Sequence, residues 1–373
     1  MLSGRKVLKF YLLCTLLFAS CRSVSGVPPL PTLTPTLLPT ATPLPPTATP
    51  TLTPSPTPAP APYITAPQNG IPQITLDIAL NYADRSVDVT QHILFHNACS
   101  DTWSEIVLAV PQAYYTDVFT LHTAEVTTEW ARNIAETALD GTMLHVALPI
   151  PVHPNEPVQV TLSYAMTVPP VDPFTWLPEG NLGAGERLIQ AGDWHPTLVP
   201  YEPGKGWHTW DYVLVGDPNV YGIANYTVQI LTDPATLISA PGAVSITDQA
   251  RHYTLDRGRS FAFLASPEYQ ILEGKAGAVP VYVYFLPEYA EAAQAVLDTA
   301  GQAIPLYEEF YGPYPGDSLV IAQNAYYGAM EYSGLVSMSG YAFETYDGNP
   351  LSLLVNLTAH EIAHQWWYGA VGQ

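Results

Sequence analysis

Two histidines four positions apart, His360 and His364, bracket Glu361 near the end of a chain of 373 residues. On an α-helix, residues four apart share a face, so both imidazoles can converge on one cation. Imidazole nitrogens bind zinc at about 2.0–2.1 Å, and the ion lowers the pKa of its water to about 7. Glu361, beside that face, can take a proton from the water as general base and pass it to a leaving amine. The chemistry implied is metal-assisted hydrolysis of an amide. The bland reading is a helix with two ordinary histidines. With ten histidines in the chain, the three residues alone do not decide between the two.

Upstream stands Gly328-Ala329-Met330-Glu331-Tyr332, with Glu331 29 positions before His360. Together with His360-Glu361-Ile362-Ala363-His364-Gln365-Trp366-Trp367, it resembles the aminopeptidase N family of gluzincin zinc metallopeptidases. In that family a Gly-x-Met-Glu-Asn segment precedes the His-Glu-x-x-His helix by a similar interval, and Gln-Trp usually follows. The resemblance is specific over residues 305–373 and weaker, but consistent, back to about residue 72, where the family has a β-rich N-terminal domain. It implies a thermolysin-like catalytic domain with His360 and His364 as ligands of Zn2+ and Glu361 as the base. Glu331 would hold the free α-amine of a peptide substrate, and Gly328, Ala329 and Met330 would line the cleft. Gln190 would help shape the specificity pocket. A carboxylate near the metal suits an ammonium group and so favours cleavage one residue from a free N-terminus.

The sequence departs from the family pattern in two places. Tyr332 replaces the usual Asn, which bears on strict aminopeptidase specificity. The family's third zinc ligand is a Glu roughly nineteen positions past the second His, and three protein ligands plus water are the usual catalytic count. That position falls beyond Gln373, as does the family's transition-state Tyr, and nothing in the pattern makes Glu344 or Asp347 a substitute. The expectation is a C-terminally truncated, inactive piece of a longer enzyme. Two other readings stay open: a non-catalytic peptide- or protein-binding module that keeps the fold, and a zinc endopeptidase.

The elements that must position these residues are legible as periodicities. Leu351 to Tyr368 reads as a helix, apolar at Leu354, Leu357, Ile362 and Trp366. Before it come a strand at Val279–Leu286 and a short one at Leu319–Ala322. Between those two, a helix opens at Pro287-Glu288 and is stopped by Gly312-Pro313. From Ile74 the pattern alternates: Ile74, Leu76, Ile78 and Leu80 are apolar with polar Thr75, Asp77 and Asn81 between them. Further strands are expected at Met143–Leu148, Val158–Tyr164, Tyr226–Leu231 and Phe261–Leu264, with turn signals at Asp140-Gly141 and Asp233-Pro234. The stretch from Val168 to Tyr212 reads as irregular. Its Asp193, His195 and His208 have no ligand spacing, and aromatic packing is the better account of them.

The fold class expected is α+β multidomain: an antiparallel β-rich domain over residues 71–275, then the start of a thermolysin-like catalytic domain over 276–373. Ahead of these, Arg5, Lys6 and Lys9 precede an apolar run from Phe10 to Ala19, too short to span a bilayer, which needs about 20 residues. This is the layout of a signal peptide, residues 1–21. Ala19-Ser20-Cys21 resembles the end of a bacterial lipoprotein signal, with Cys21 as the lipidated residue, although Phe18 stands where Leu is usual. Ordinary secretion is the alternative. Residues 22–70, rich in Pro and Thr, read as an extended spacer. The protein is thus expected outside the cytoplasm, anchored to the membrane by lipid or secreted. The net charge of −21 argues against nucleic acid as a partner. Cys99 is the lone cysteine of the folded part, so no disulfide framework is possible within the chain, and a small buried apolar residue is its ordinary role.

Overall fold

Alternating apolar residues become strands with one buried face. Ile74, Leu76, Ile78 and Leu80 are all buried on the strand Gln73–Asn81, and Val87, Val89, Ile93 and Phe95 on the strand Ser86–His96. The computed structural model describes residues 62–171, 181–212, 222–247 and 250–371. Cys21, the signal segment and most of the Pro/Thr-rich segment lie outside the described residues. No helix among the described residues is long and apolar enough to cross a membrane.

The largest sheet has eight strands, in the order Ala243–Thr247, Ala250–Gly258, Ala224–Leu231, Gln73–Asn81, Ser86–His96, Pro157–Thr167, Phe119–Thr128 and Arg132–Ile134. Its neighbours are antiparallel except Gln73–Asn81 and Ala224–Leu231, which run parallel. Two four-stranded sheets pack their apolar side chains into the same core, among them Ile106, Leu144, Ile189 and Phe263. The strands extend somewhat past the periodic runs, as in Met143–Val152 and Pro157–Thr167. The run at Phe261 begins its strand two residues later, at Phe263–Ser266. The stretch that reads as irregular holds strands of two and three residues, including Leu182–Ala184 and Ile189–Ala191. Pieces that short carry no period to read.

From Gln270 the architecture changes. A five-stranded sheet runs Gln270–Ala276, Val279–Phe285, Leu319–Gln323, Leu335–Met338, Met330–Tyr332. Its middle pairs are parallel and both edges antiparallel. The helix Ala290–Tyr311 makes the crossover between the second and third strands and ends at Gly312, whose φ of 92° favours glycine. One sheet face, with Val281, Val283, Ile321 and Val336, packs on the helices. The other, with Val320, Ala322, Tyr332 and Leu335, packs on Leu188, Ala262 and Leu264 of the β-rich body. Covering on both faces explains why Leu319–Gln323 is buried at every position and why its first four residues, Leu319–Ala322, read as an unbroken apolar run. Residues from Pro60 onward form one compact unit.

Candidate metal and catalytic site

The helix that carries the motif spans Leu353–His364 and is opened by Ser352, whose side chain accepts from the Val355 amide at 3.4 Å. After His364 the backbone widens into a π-type turn, Gln365–Ala370, so the regular α-helix is shorter than the apolar stripe. Leu354 and Ile362 are fully buried in the second core. Two polar ties fix the helix along and about its axis. The Tyr307 hydroxyl donates to the Ala359 carbonyl at 2.9 Å, and the Trp366 indole donates to the Gly312 carbonyl at 3.1 Å. The Trp366 ring also meets Tyr307 and Tyr314 edge-on.

One turn apart, the imidazoles converge as expected. The Nε2 atoms of His360 and His364 stand 3.1 Å apart. Two nitrogens bound tetrahedrally to zinc at 2.0–2.1 Å would be about 3.3 Å apart, so the pair fits a shared ion with little adjustment. Burial, with His364 alongside, depresses the pKa of His360 against the opposing pull of Glu331, which favours the neutral ring that a metal needs. Glu331 reaches across from the edge strand Met330–Tyr332, its Oε1 3.2 Å from His364 Nδ1. That contact makes Nδ1 the protonated nitrogen and leaves the Nε2 lone pair for the cation. Glu361 is 5% exposed, and donor atoms of Glu331, Glu361 and His364 lie within 4.8 Å of one another. With His360 Nε2 beside His364 Nε2, this cluster of imidazole and carboxylate groups has the donor chemistry suited to a divalent ion such as zinc.

A solved structure shares this fold. The crystal structure of the M1 zinc metallopeptidase from Deinococcus radiodurans superposes with a TM-score of 0.50 at 16% identity, over 81% of this chain and 65% of that one. The chain has an M1 metallopeptidase-like fold. In sequence, a "Probable aminopeptidase 2" of Sulfurisphaera tokodaii is 25% identical over 111 residues, which are 28% of this chain and 14% of that protein. The chain therefore spans about two thirds of the solved relative's length and a small part of the curated one's. No protein-family profile matches it.

Within this M1-like fold, His360, Glu361, His364 and Glu331 come together, drawn from the motif helix and the edge strand. Gly328 lies under the Tyr326 ring, where a Cβ would be 2.7 Å from Tyr326 Cε2, and its carbonyl accepts from Asn324 Nδ2 at 2.9 Å. Ala329 is half-buried against the second core. Met330 packs at the junction with the β-rich body, on the same strand face as Tyr332. Tyr332 is 3% exposed on the face opposite Glu331. Gln190 is fully buried and accepts from the Ala325 amide at 3.1 Å, so it meets the loop leading to Gly328. His195 and His208 make separate contacts: His195 Nδ1 lies 3.2 Å from the Pro196 carbonyl, and His208 pairs with Glu202. Cys99 is half-buried beside the β core, where burial raises its pKa.

The motif gives no role to the residues that hold the site from behind. Gln365 Nε2 donates to the Tyr332 carbonyl at 3.0 Å, and its Oε1 accepts from the Gly334 amide at 2.9 Å. This side chain ties the edge strand to the residue next to His364. Tyr326 is buried and donates to Asn181 Oδ1 at 3.1 Å. A glutamine and a tyrosine carry no spacing signal for such roles.

Proposed function

We propose that this chain carries the centre of a zinc metallopeptidase, most consistent with an aminopeptidase that removes the N-terminal residue of peptides. The observation that carries the reading is the convergence of His360 and His364 on one point with Glu331 and Glu361 beside them. The M1-like fold and the aminopeptidase names of the relatives support it. His360 and His364 would hold Zn2+, with a further carboxylate expected after Gln373 by the family resemblance. Zinc there supplies a Lewis acid that makes water nucleophilic near neutral pH. Glu361 takes the proton of the attacking water and delivers it to the leaving amine. The residue is 5% exposed, so little bulk solvent reaches its carboxylate to compete for that proton. Glu331 receives the substrate's ammonium group. A carboxylate has about four lone-pair sites, so it can face His364 and an ammonium together.

In the full-length protein, Glu361→Gln is expected to retain zinc by metal analysis while turnover of an aminoacyl p-nitroanilide falls on the order of 10²–10⁴-fold. Unchanged turnover in that variant, or wild-type protein free of metal after purification in zinc, sinks the reading. Zinc binding without turnover would instead favour a binding module, and hydrolysis that survives N-acetylation of the substrate would favour an endopeptidase. We also propose that Cys21 is lipidated and tethers the protein outside a bacterial membrane through the Pro/Thr-rich spacer. Cys21→Ser should move the protein from the membrane to the soluble fraction, and continued membrane association would contradict a lipid anchor.

A further inference from the structure

The β-rich body lays residues 181–192 along the loop and edge strand 325–332, the segment that presents Glu331. Gln190 Oε1 accepts from the Ala325 amide, and Asn181 Oδ1 accepts from the Tyr326 hydroxyl. A Cβ on Gly185 would stand 2.6 Å from the Ala325 Cβ. The tightest contact is at the end of this run. A Cβ on Gly192 would lie 1.7 Å from the Tyr332 hydroxyl oxygen and 2.4 Å from its Cζ, closer than atoms can approach. Gly192 is not among the residues of positive φ. Glycine is therefore required here for space, because the Tyr332 tip occupies the volume a side chain would take.

Neither partner can withdraw cheaply. The Gly192 amide donates to the Asn181 carbonyl at 2.7 Å, which holds the loop from its own side. The Tyr332 carbonyl is held by Gln365, which also holds Gly334. Both residues are buried in close-packed surroundings, where displacement is transmitted rather than absorbed. Glu331 is the residue immediately before Tyr332 and points to the opposite face of the same strand. A shift of the tyrosine therefore shifts the carboxylate against His364.

We propose that Gly192 and Tyr332 form a steric stop by which the β-rich body sets the height of Glu331 over the metal site. Both are positioning residues for the substrate's amino terminus. The resemblance makes Tyr332 a departure at a substrate-binding position. The packing gives it a different task, as a strut seated in a notch that only glycine leaves open. This inference rests on the peptidase reading above.

The test is a double-mutant cycle in the full-length protein, with alanine p-nitroanilide as substrate. Gly192→Ala pushes the ring back, and a misplacement near 1 Å is expected to lower kcat/KM on the order of 10–100-fold, carried mainly by KM. Tyr332→Asn removes the ring, so Gly192→Ala added to Y332N should cause no further rise in KM. Tyr332→Phe removes only the nearest atom and should relieve G192A in part. Urea midpoints of the same proteins show which variants remain folded. An equal KM penalty for G192A with and without Y332N, or no penalty in the presence of Tyr332, overturns the stop. Coupling in the urea midpoints with unchanged KM also overturns it, since the contact would then be structural alone. If the wild-type protein neither cleaves nor binds the anilide, the peptidase reading falls and takes this inference with it. If the wild type cleaves and only the cycle fails, the inference falls by itself.

Discussion

Glu331 has one observed contact and one proposed role, which a substitution series can separate. Its Oε1 contact with His364 Nδ1 orients a proposed metal ligand, whereas its negative charge is what an ammonium group would recognise. Glu331→Gln keeps an oxygen acceptor for the imidazole N–H and loses the charge. Zinc affinity should therefore hold, while KM for a free-amine peptide rises about 10–100-fold, the worth of one charge-assisted hydrogen bond. Glu331→Ala removes both, and zinc affinity itself should then fall about 10–100-fold. Calorimetric zinc titration of both variants, set beside their KM values, checks the split. Equal zinc affinities in the two would show that the His364 contact orients nothing. His360, Glu361 and His364 were legible in the sequence because three residue types at fixed helical spacing already state a geometry. The Glu331–His364 contact was not, because it joins a strand to a helix.

The motif helix works as an element because its neighbours fix its rotation. Trp366 is 5% exposed, sits just past the α-helical segment, and donates to Gly312 at the end of the crossover helix. Trp366→Ala should cost about 3–5 kcal/mol of stability and loosen zinc binding, read from chemical denaturation and metal titration. Tyr307→Phe keeps the ring and loses one hydrogen bond to Ala359, an expected cost of about 1 kcal/mol. If Trp366→Ala leaves metal affinity untouched, the helix is held in place by other contacts. The apolar stripe placed this helix within a few residues. It did not show the π-type turn at Gln365–Ala370, since a widened turn changes hydrogen bonding without disturbing the apolar pattern. The edge strand Met330–Tyr332 was also unread as a strand, because three residues cannot display a two-residue period.

Across the whole molecule, acid should act through the β-rich body. His195 is 3% exposed among Trp194 and Tyr226, and burial holds its pKa down at about 4. Its value in the unfolded chain is 6.5. Between these limits the unfolded chain binds a proton that the folded protein refuses. The stabilising contribution is thus full above pH 6.5 and declines as pH falls, by about 1.4 kcal/mol per pH unit, until the folded group titrates. Urea midpoints measured from pH 7 to 4 should fall, and His195→Gln should flatten the decline. A slope unaffected by that substitution would assign the acid sensitivity elsewhere. The β-rich body also borders the proposed site through Gln190, Asn181 and Gly192, so its packing bears on function as well as on stability.

Local order was written in the sequence wherever a period or a fixed spacing could express it. The alternation from Ile74, the stripe of the motif helix and the His-Glu-x-x-His spacing each follow from backbone geometry that repeats along the chain. Tertiary structure alone decided which face of the edge strand meets the candidate site and which meets the β-rich body. It gave Tyr332 a place in the core, on the face opposite Glu331, and it brought Gly192 under that ring across 140 residues of chain. Such contacts depend on the volume left between separately folded segments, and no local pattern of residue types encodes that volume.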